Sequence, residues 1–395
     1  MINIKMILFL SLIIFPLSLF AQIPPKWKNL FRDIVEINSS SQNLPGLHAM
    51  RERLIEEFKA LGFENELMDA KEGRKVLVFK FPKSSSKVLL IGHIDTVFEE
   101  KSPFQKFSMD SKNFKGPGVN DMKGGIVLML MALSELKDSS LLQSVVVALN
   151  DDEEIGSPYS APVLKTIAQG IPYALIYEPT FASPEHVTTT HAGGTWLELK
   201  VVGRASHAGA AHQKGINACV ELAHKITQIS KLTQYEKKLT VNPGVIQGGT
   251  KPNVVCEEAT VKIDVRYVDE RDLKDVRKKI EAIAKKSTLF NPLLKQGTQS
   301  TVTELIFIPS LPARSTQALF KKGQSVAKRL GFTLKGEHMG GASDANQLAV
   351  TGIELLSGLG PWGIGAHSVD EVADVLSFEK RKDFSVGLLK KILSE

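Results

Sequence analysis

KVLLIGHID, residues 87–95, decides how this chain folds. An apolar run of strand length ends on a histidine, and an aspartate follows two residues later. Continuous rather than alternating apolarity suits a strand buried on both faces. Similar runs occur at KVLVFKF (75–81), at 144–149 and at YALIYEPT (173–180). Between and before them, WKNLFRDIVEI (27–37), GLHAMRERLIEEFKALGF (46–63) and Gly125–Leu136 carry apolar residues at helical spacing. Strands alternating with helices predict an α/β domain, a mostly parallel sheet covered by helices. In such sheets the active crevice lies beyond the carboxyl ends of the strands.

From about Thr188 the pattern changes. TTTHAGGTWLELKVVG (188–203), KLTVNPGVIQGG (238–249) and EEATVKIDVRYV (257–268) read as longer antiparallel strands. GINACVELAHKITQI (215–229) and RDLKDVRKKIEAIAKK (271–286) read as amphipathic helices between them. The α/β pattern resumes with a helix at 315–331 and the strand-like GIELLSG (352–358). The expected organisation is therefore a catalytic domain in two parts, 22–187 and 305–395, interrupted by an α+β insert at 188–304.

The first residues, MINIKMILFLSLIIFPLSLFAQ, read as an export leader over 1–21: Lys5 is the positive start, Met6–Phe20 the apolar run and Ala21 the cleavage residue. The run is shorter than a bilayer span and is broken by Pro16. The expectation is an exported protein, periplasmic or secreted, with no membrane attachment in its mature form. With 395 residues, 43% of them hydrophobic, the chain can bury a large core. Its net charge of +6 comes without a dense basic stripe interleaved with aromatics, which argues against a nucleic-acid partner. The two cysteines, Cys219 and Cys256, are expected to be separate buried thiols, and two cannot form a thiolate metal cage.

Polar residues with chemistry to offer fall just after the apolar runs. His93 and His367 sit at apparent strand ends. Asp95 projects to the same side as His93. Asp121 lies in GVNDMKGG, a turn-rich loop entering a helix, and NDDEEIGS (150–157) and Glu178 end further runs. Imidazoles and carboxylates converging from separate strand ends form a ligand set for zinc or a similar divalent ion. In NDDEEIGS, Asp152 is expected to support the loop and Asp151 to be solvated.

IGHIDTV, GPGVNDMKGG, NDDEEIGS, YEPT, GRASHAG and GAHSVDE, in this order, resemble the motifs of the di-zinc metallopeptidase family of carboxypeptidase G, aminoacylase and succinyl-diaminopimelate desuccinylase. YEPT and the PNVV…DVR pair of segments look closest to carboxypeptidase G. The resemblance implies two zinc ions per subunit, with cobalt or manganese as substitutes, bridged by Asp121. His93 and Glu178 would complete one ion, Glu154 and His367 the other. Glu153 would hold the attacking water and serve as general base, with Asp95 tuning His93. The insert would be a dimerisation (lid) domain whose His207 reaches a neighbouring subunit's site to stabilise the oxyanion. Asn253 and Arg266 would bind the substrate's terminal carboxylate, and the glycine loop MGGASDAN, with Gly340, Gly341 and Asp344, would line the specificity pocket. Relatives tend to carry Thr-Asp there, where this chain has Ala342-Ser343-Asp344. The implied activity is hydrolysis of the amide before a C-terminal amino acid. The alternatives are an N-acyl-amino-acid deacylase with the same site, and a peptide-binding protein that does not turn over.

Overall fold

The computed structural model describes residues 23–82 and 85–395. The expected leader, residues 1–21, lies outside the described residues.

The continuous apolar runs form the middle of the main sheet. Strands β3 (Val88–His93) and β4 (Val145–Asn150) are buried at every position. They pair in parallel, and β3 pairs in parallel on its other side with β5 (Tyr173–Ile176), which is followed by the parallel strand β12 (Glu354–Leu356). A hairpin of β1 (Glu64–Asp69) and β2 (Lys75–Lys80) continues the sheet antiparallel to β4, giving the order β1-β2-β4-β3-β5-β12. Successive residues of one strand serve opposite faces. Val88 and Leu90 join the core beneath helices α1 (Pro25–Glu36), α2 (Leu44–Ala60), α3 (Lys123–Ser134), α7 (Gln317–Arg329) and α9 (Val375–Leu393). Leu89 and Ile91 join the one beneath α4 (Ala161–Ile167) and α8 (Asp344–Ala349). Helix α3 is buried almost throughout and correspondingly apolar all round. Its Gly125 admits the carbonyl of Tyr177, which an added Cβ would meet at 2.0 Å. That close approach brings the loop of Asp121 beside the end of β5.

The insert carries an antiparallel sheet in the order β8-β9-β7-β10, with β7 (Gly193–Val202), β8 (Thr240–Gly248), β9 (Glu258–Tyr267) and β10 (Gln299–Ile308). Helices α5 (Ala218–Ile229) and α6 (Glu270–Lys285) share one apolar core with it. The expected domain limits, 188 and 304, each fall inside a strand. Residues His186–His191 form a separate strand, β6, paired in parallel with β11 (Lys335–Met339), and β10 continues to Ile308. The chain crosses from β6 to β7 at Ala192 and leaves β10 at Pro309. Buried Asn346 donates to both of their carbonyls, at 3.0 and 2.8 Å, and so joins the two crossings.

The expectation of separate thiols is corrected. Cys219 in the first turn of α5 and Cys256 just before β9 form a disulfide, with Cα atoms 5.7 Å apart. The Ala218 N–H donates to the Cys256 carbonyl at 2.8 Å, so the helix start is already stitched to this segment. Sequence separation concealed a proximity that tertiary packing creates. Among the described residues no helix is long and apolar enough to cross a membrane.

Candidate metal centre and substrate cleft

Three parallel strands of the main sheet deliver His93, Glu153, Glu154 and Glu178 from beyond their carboxyl ends, while Asp121 comes from the loop entering α3 and His367 from a loop after a short strand outside this sheet. His93 closes β3 with no exposed surface. Its Nδ1 lies 3.0 Å from the Asp95 carbonyl and 3.3 Å from the Asp95 carboxylate, which turns Nε2 outward. Nε2 lies 3.2 Å from Asp121 Oδ1, 3.7 Å from Glu178 Oε1 and 4.0 Å from Glu153 Oε2. Opposite, His367 Nε2 lies 3.0 Å from Glu154 Oε2 and 3.5 Å from Asp121 Oδ2. Asp121 thus offers one oxygen to each histidine; His93 also faces Glu178 and, slightly farther, Glu153, and His367 faces Glu154. His367 adopts φ +65°, a left-handed conformation that a non-glycine residue holds only against some strain. The peptide bond joining Asp121 to Met122 is cis.

The charges are unbalanced. Burial, then the charge of Asp121, pushes Glu154 up to about 7, although His367 opposes this. Burial is also the main cause raising Glu153 and Glu178 well above the ordinary carboxylate range. Hydrogen bonds with Asp121 and then Glu154 raise His367 to about 10. Burial disfavours a charge on His93, yet Asp121 and Asp95 together hold its pKa well above the usual value. Burial also opposes ionisation of Asp121, but His367 and His93 keep it below the normal range. Carboxylates crowded this closely, and holding protons this tightly, are suited to cations. The donor atoms of His93, Asp121 and Glu154 all lie within 4.8 Å of one another, as do those of His93, Glu153 and Glu178. Mixed nitrogen and oxygen donors at these separations fit a pair of divalent ions.

Around the cluster, Asp95 is a hub. It accepts from Ser41 Oγ at 2.7 Å and from the N–H groups of Glu153 and Glu154 at 3.2 and 3.1 Å. Asp152 accepts from the N–H groups of Tyr159 and Ser160, which closes the loop. Asp151 departs from its expected solvated state: it is buried and ion-paired to Arg51 at 2.7 Å. Burial pushes its pKa up to about 6 against the opposing pull of the Lys75 N–H and Arg51. Sequence reading quoted Glu371 within GAHSVDE but gave it no task. In the structure it is fully buried and accepts from the N–H groups of Asn120, Asp121 and Gly118, at 2.8, 3.0 and 3.0 Å. It holds the Asp121 loop, and its place four residues after His367 was the one available signal.

A cavity of about 390 Å³ lies over the cluster, bordered by Asp121, Glu153, Glu178, Gly341 and His367. A side chain added at Gly341 would meet nothing within 4 Å, so this position keeps the cavity open. Asp344, expected on the pocket wall, is instead buried beneath it and accepts from Ser157 Oγ at 2.5 Å. His191, which had no expected role, borders the same cavity, its Nδ1 3.2 Å from the Gly341 carbonyl. Arg266 borders an adjoining space together with Glu153, Glu154 and Gly341. Its Nε donates to both oxygens of Asp264 at 3.1 Å, and Trp196 Nε1 donates to Asp264 at 2.7 Å. The expected pairing of Asn253 with Arg266 does not occur within one subunit. Asn253 and His207 are exposed together elsewhere on the insert: the Ala208 N–H donates to the Asn253 carbonyl, and His207 bridges to Val254.

Comparison with known proteins agrees with this geometry. Residues 189–290 match a peptidase dimerisation domain of the M20 type, and residues 76–171 match peptidase family M28. The chain is 28% identical over 371 residues to carboxypeptidase G2 of a Pseudomonas species, covering 90% of this chain and 86% of that one. It is 29% identical over 280 residues to acetylornithine deacetylase of Photorhabdus laumondii, covering 64% and 70% of the two chains. A dinuclear metal-binding peptidase of the M20 family from Bacillus subtilis shares the fold, with TM-score 0.70 and 16% identity over 93% of this chain and 98% of that one.

Proposed function

The chain belongs to the M20 family of metallopeptidases and amidohydrolases, hydrolases of amide bonds, and from that premise we propose a glutamate-carboxypeptidase-like enzyme that cleaves the amide preceding a C-terminal amino acid. The observation that carries this reading is Asp121, with one oxygen turned to His93 and the other to His367, and with Glu153 standing beside it, 4.0 Å from His93 Nε2 and so farther than Glu178 at 3.7 Å. His93, Asp121 and Glu178 would hold one zinc ion, and Asp121, Glu154 and His367 the second. Bound there, the ions would polarise the scissile carbonyl and acidify water. Glu153 then takes the proton from the attacking water and delivers it to the departing nitrogen. A carboxylate beside the ligand set but outside it is suited to both halves of that transfer. Arg266, steadied by Asp264, grips the free carboxylate through its unused guanidinium edge. His207 acts from a second subunit in a homodimer, which is consistent with its exposed position away from its own subunit's cavity.

Glu153→Gln should retain metal, measured by elemental analysis, and lose hydrolysis by roughly 100-fold or more. Activity surviving that change would sink the mechanism. An N-acyl-amino-acid deacylase is the second reading, favoured by the similarity to an acetylornithine deacetylase. A panel of dipeptides against N-acyl amino acids separates the two. A peptide binder without turnover would have no use for Glu153 beside the cluster. We also propose export to an oxidising compartment, supported by the leader-like residues 1–21 and by the Cys219–Cys256 disulfide.

A further inference from the structure

We propose that the pocket beside Arg266 receives a large apolar side chain on the substrate residue that bears the free carboxylate, so that C-terminal phenylalanine or leucine is preferred to glutamate. The inference rests on the proposed carboxypeptidase reading, keeps its reaction, and replaces glutamate by an apolar residue as the preferred C-terminal residue. A cavity of about 570 Å³ lies between the insert sheet and the loop after β4. Ile155, Trp196, Leu305, Ile306 and Phe307 border it, and each is between 39% and 47% exposed. Such a concentration of exposed apolar residues in one concavity marks a binding surface. The β10 register shifts between Glu304 and Ile306, and at this bulge three consecutive apolar side chains stay exposed where a regular strand would alternate.

Continuity with the candidate catalytic cavity identifies the occupant. Glu154, Gly156, Ser157, Arg266, Ile308 and Gln347 border both this cavity and the space containing Glu153, Gly341 and His367. Arg266 therefore stands at the junction. With the scissile carbonyl at the metal cluster and the carboxylate on Arg266, the side chain of the same residue projects onward into the apolar cavity. The acyl portion remains over the cluster, toward Gly341. Lys165, whose Nζ donates to Gln347 Oε1 at 3.2 Å, is the cation on this wall that could instead meet an acidic side chain.

The test compares kcat/KM of the metal-loaded enzyme for matched N-acylated substrates ending in phenylalanine, leucine, alanine and glutamate. Phenylalanine should exceed alanine and glutamate by about tenfold or more, the scale set by burying an aromatic ring. Phe307→Ser and Leu305→Ser should narrow that ratio through KM, with the unfolding midpoint checked to show that the variants are folded. Preference for glutamate, abolished by Lys165→Met, would overturn the proposal and leave the carboxypeptidase reading standing. So would a Phe307→Ser change that alters the oligomeric state in sedimentation but not the ratio, because a protein partner would then cover the patch. If no substrate is cleaved, the carboxypeptidase reading falls. Calorimetric titration of the holoenzyme with N-acetyl-phenylalanine and N-acetyl-glutamate then decides the pocket alone: tighter binding of the former supports it, and equal or weaker binding overturns it.

Discussion

Asp151, Asp152, Glu153 and Glu154 are chemical near-equals whose surroundings give them separate tasks. Asp151 answers Arg51, Asp152 ties the loop to Tyr159 and Ser160, and Glu154 faces His367. Glu153, 4.0 Å from His93 Nε2, is the proposed general base. The repulsion within the run is thus relieved by partners that come from distant parts of the chain. Glu371 makes the same point in reverse, since its three N–H partners fix the loop that aims Asp121. Glu371→Gln should weaken metal binding by roughly 10- to 100-fold, the usual effect of losing a group that orients a ligand. Chelator competition measures this, and unchanged affinity would remove Glu371 from the metal centre's support.

Among the elements, the insert carries a staple where two separate thiols were expected. The disulfide joins the start of α5 to the segment leading into β9, and that segment also carries Asn253. The Val255 N–H donates to the Ser206 carbonyl, so His207 hangs on the same stretch of backbone. Replacing both cysteines by serine should cost about 2–4 kcal/mol of unfolding free energy. Denaturant titration of the oxidised protein against the double variant reads it. If His207 serves a neighbouring subunit, the variant should also lose kcat while its metal content stays constant. Equal kcat in both proteins would separate the staple from catalysis.

For the molecule as a whole, the acid cluster links stability, metal and pH. Glu154 titrates near 7 in the fold, above its ordinary value of 4.5, and Glu153 and Glu178 shift in the same direction. The metal-free fold therefore binds more protons than the unfolded chain between about pH 4.5 and 7, and its stability falls as pH rises through that window. His367, raised to about 10, continues the fall above 6.5. Thermal unfolding of chelator-treated protein should show a lower midpoint at pH 8 than at pH 5, and added zinc should restore it. A midpoint independent of both pH and metal would contradict this account. A second test concerns assembly: a monomer in sedimentation with full activity would exclude a shared His207. By itself, the sequence set out a mostly parallel sheet, a change of pattern from about Thr188, and the placing of His93, Glu153, Glu154 and Glu178 just beyond strand ends, with Asp121 in a loop entering a helix. Strand polarity and burial period are written locally, and strand ends in such a sheet meet at one edge. Only the tertiary structure decided the Cys219–Cys256 bond, the burial of Asp151 and Asp344, the support by Glu371 and the joining of the chain at Ala192 and Pro309 by Asn346. Each of these depends on a partner far away in the chain, and local periodicity carries no information about which distant group will arrive.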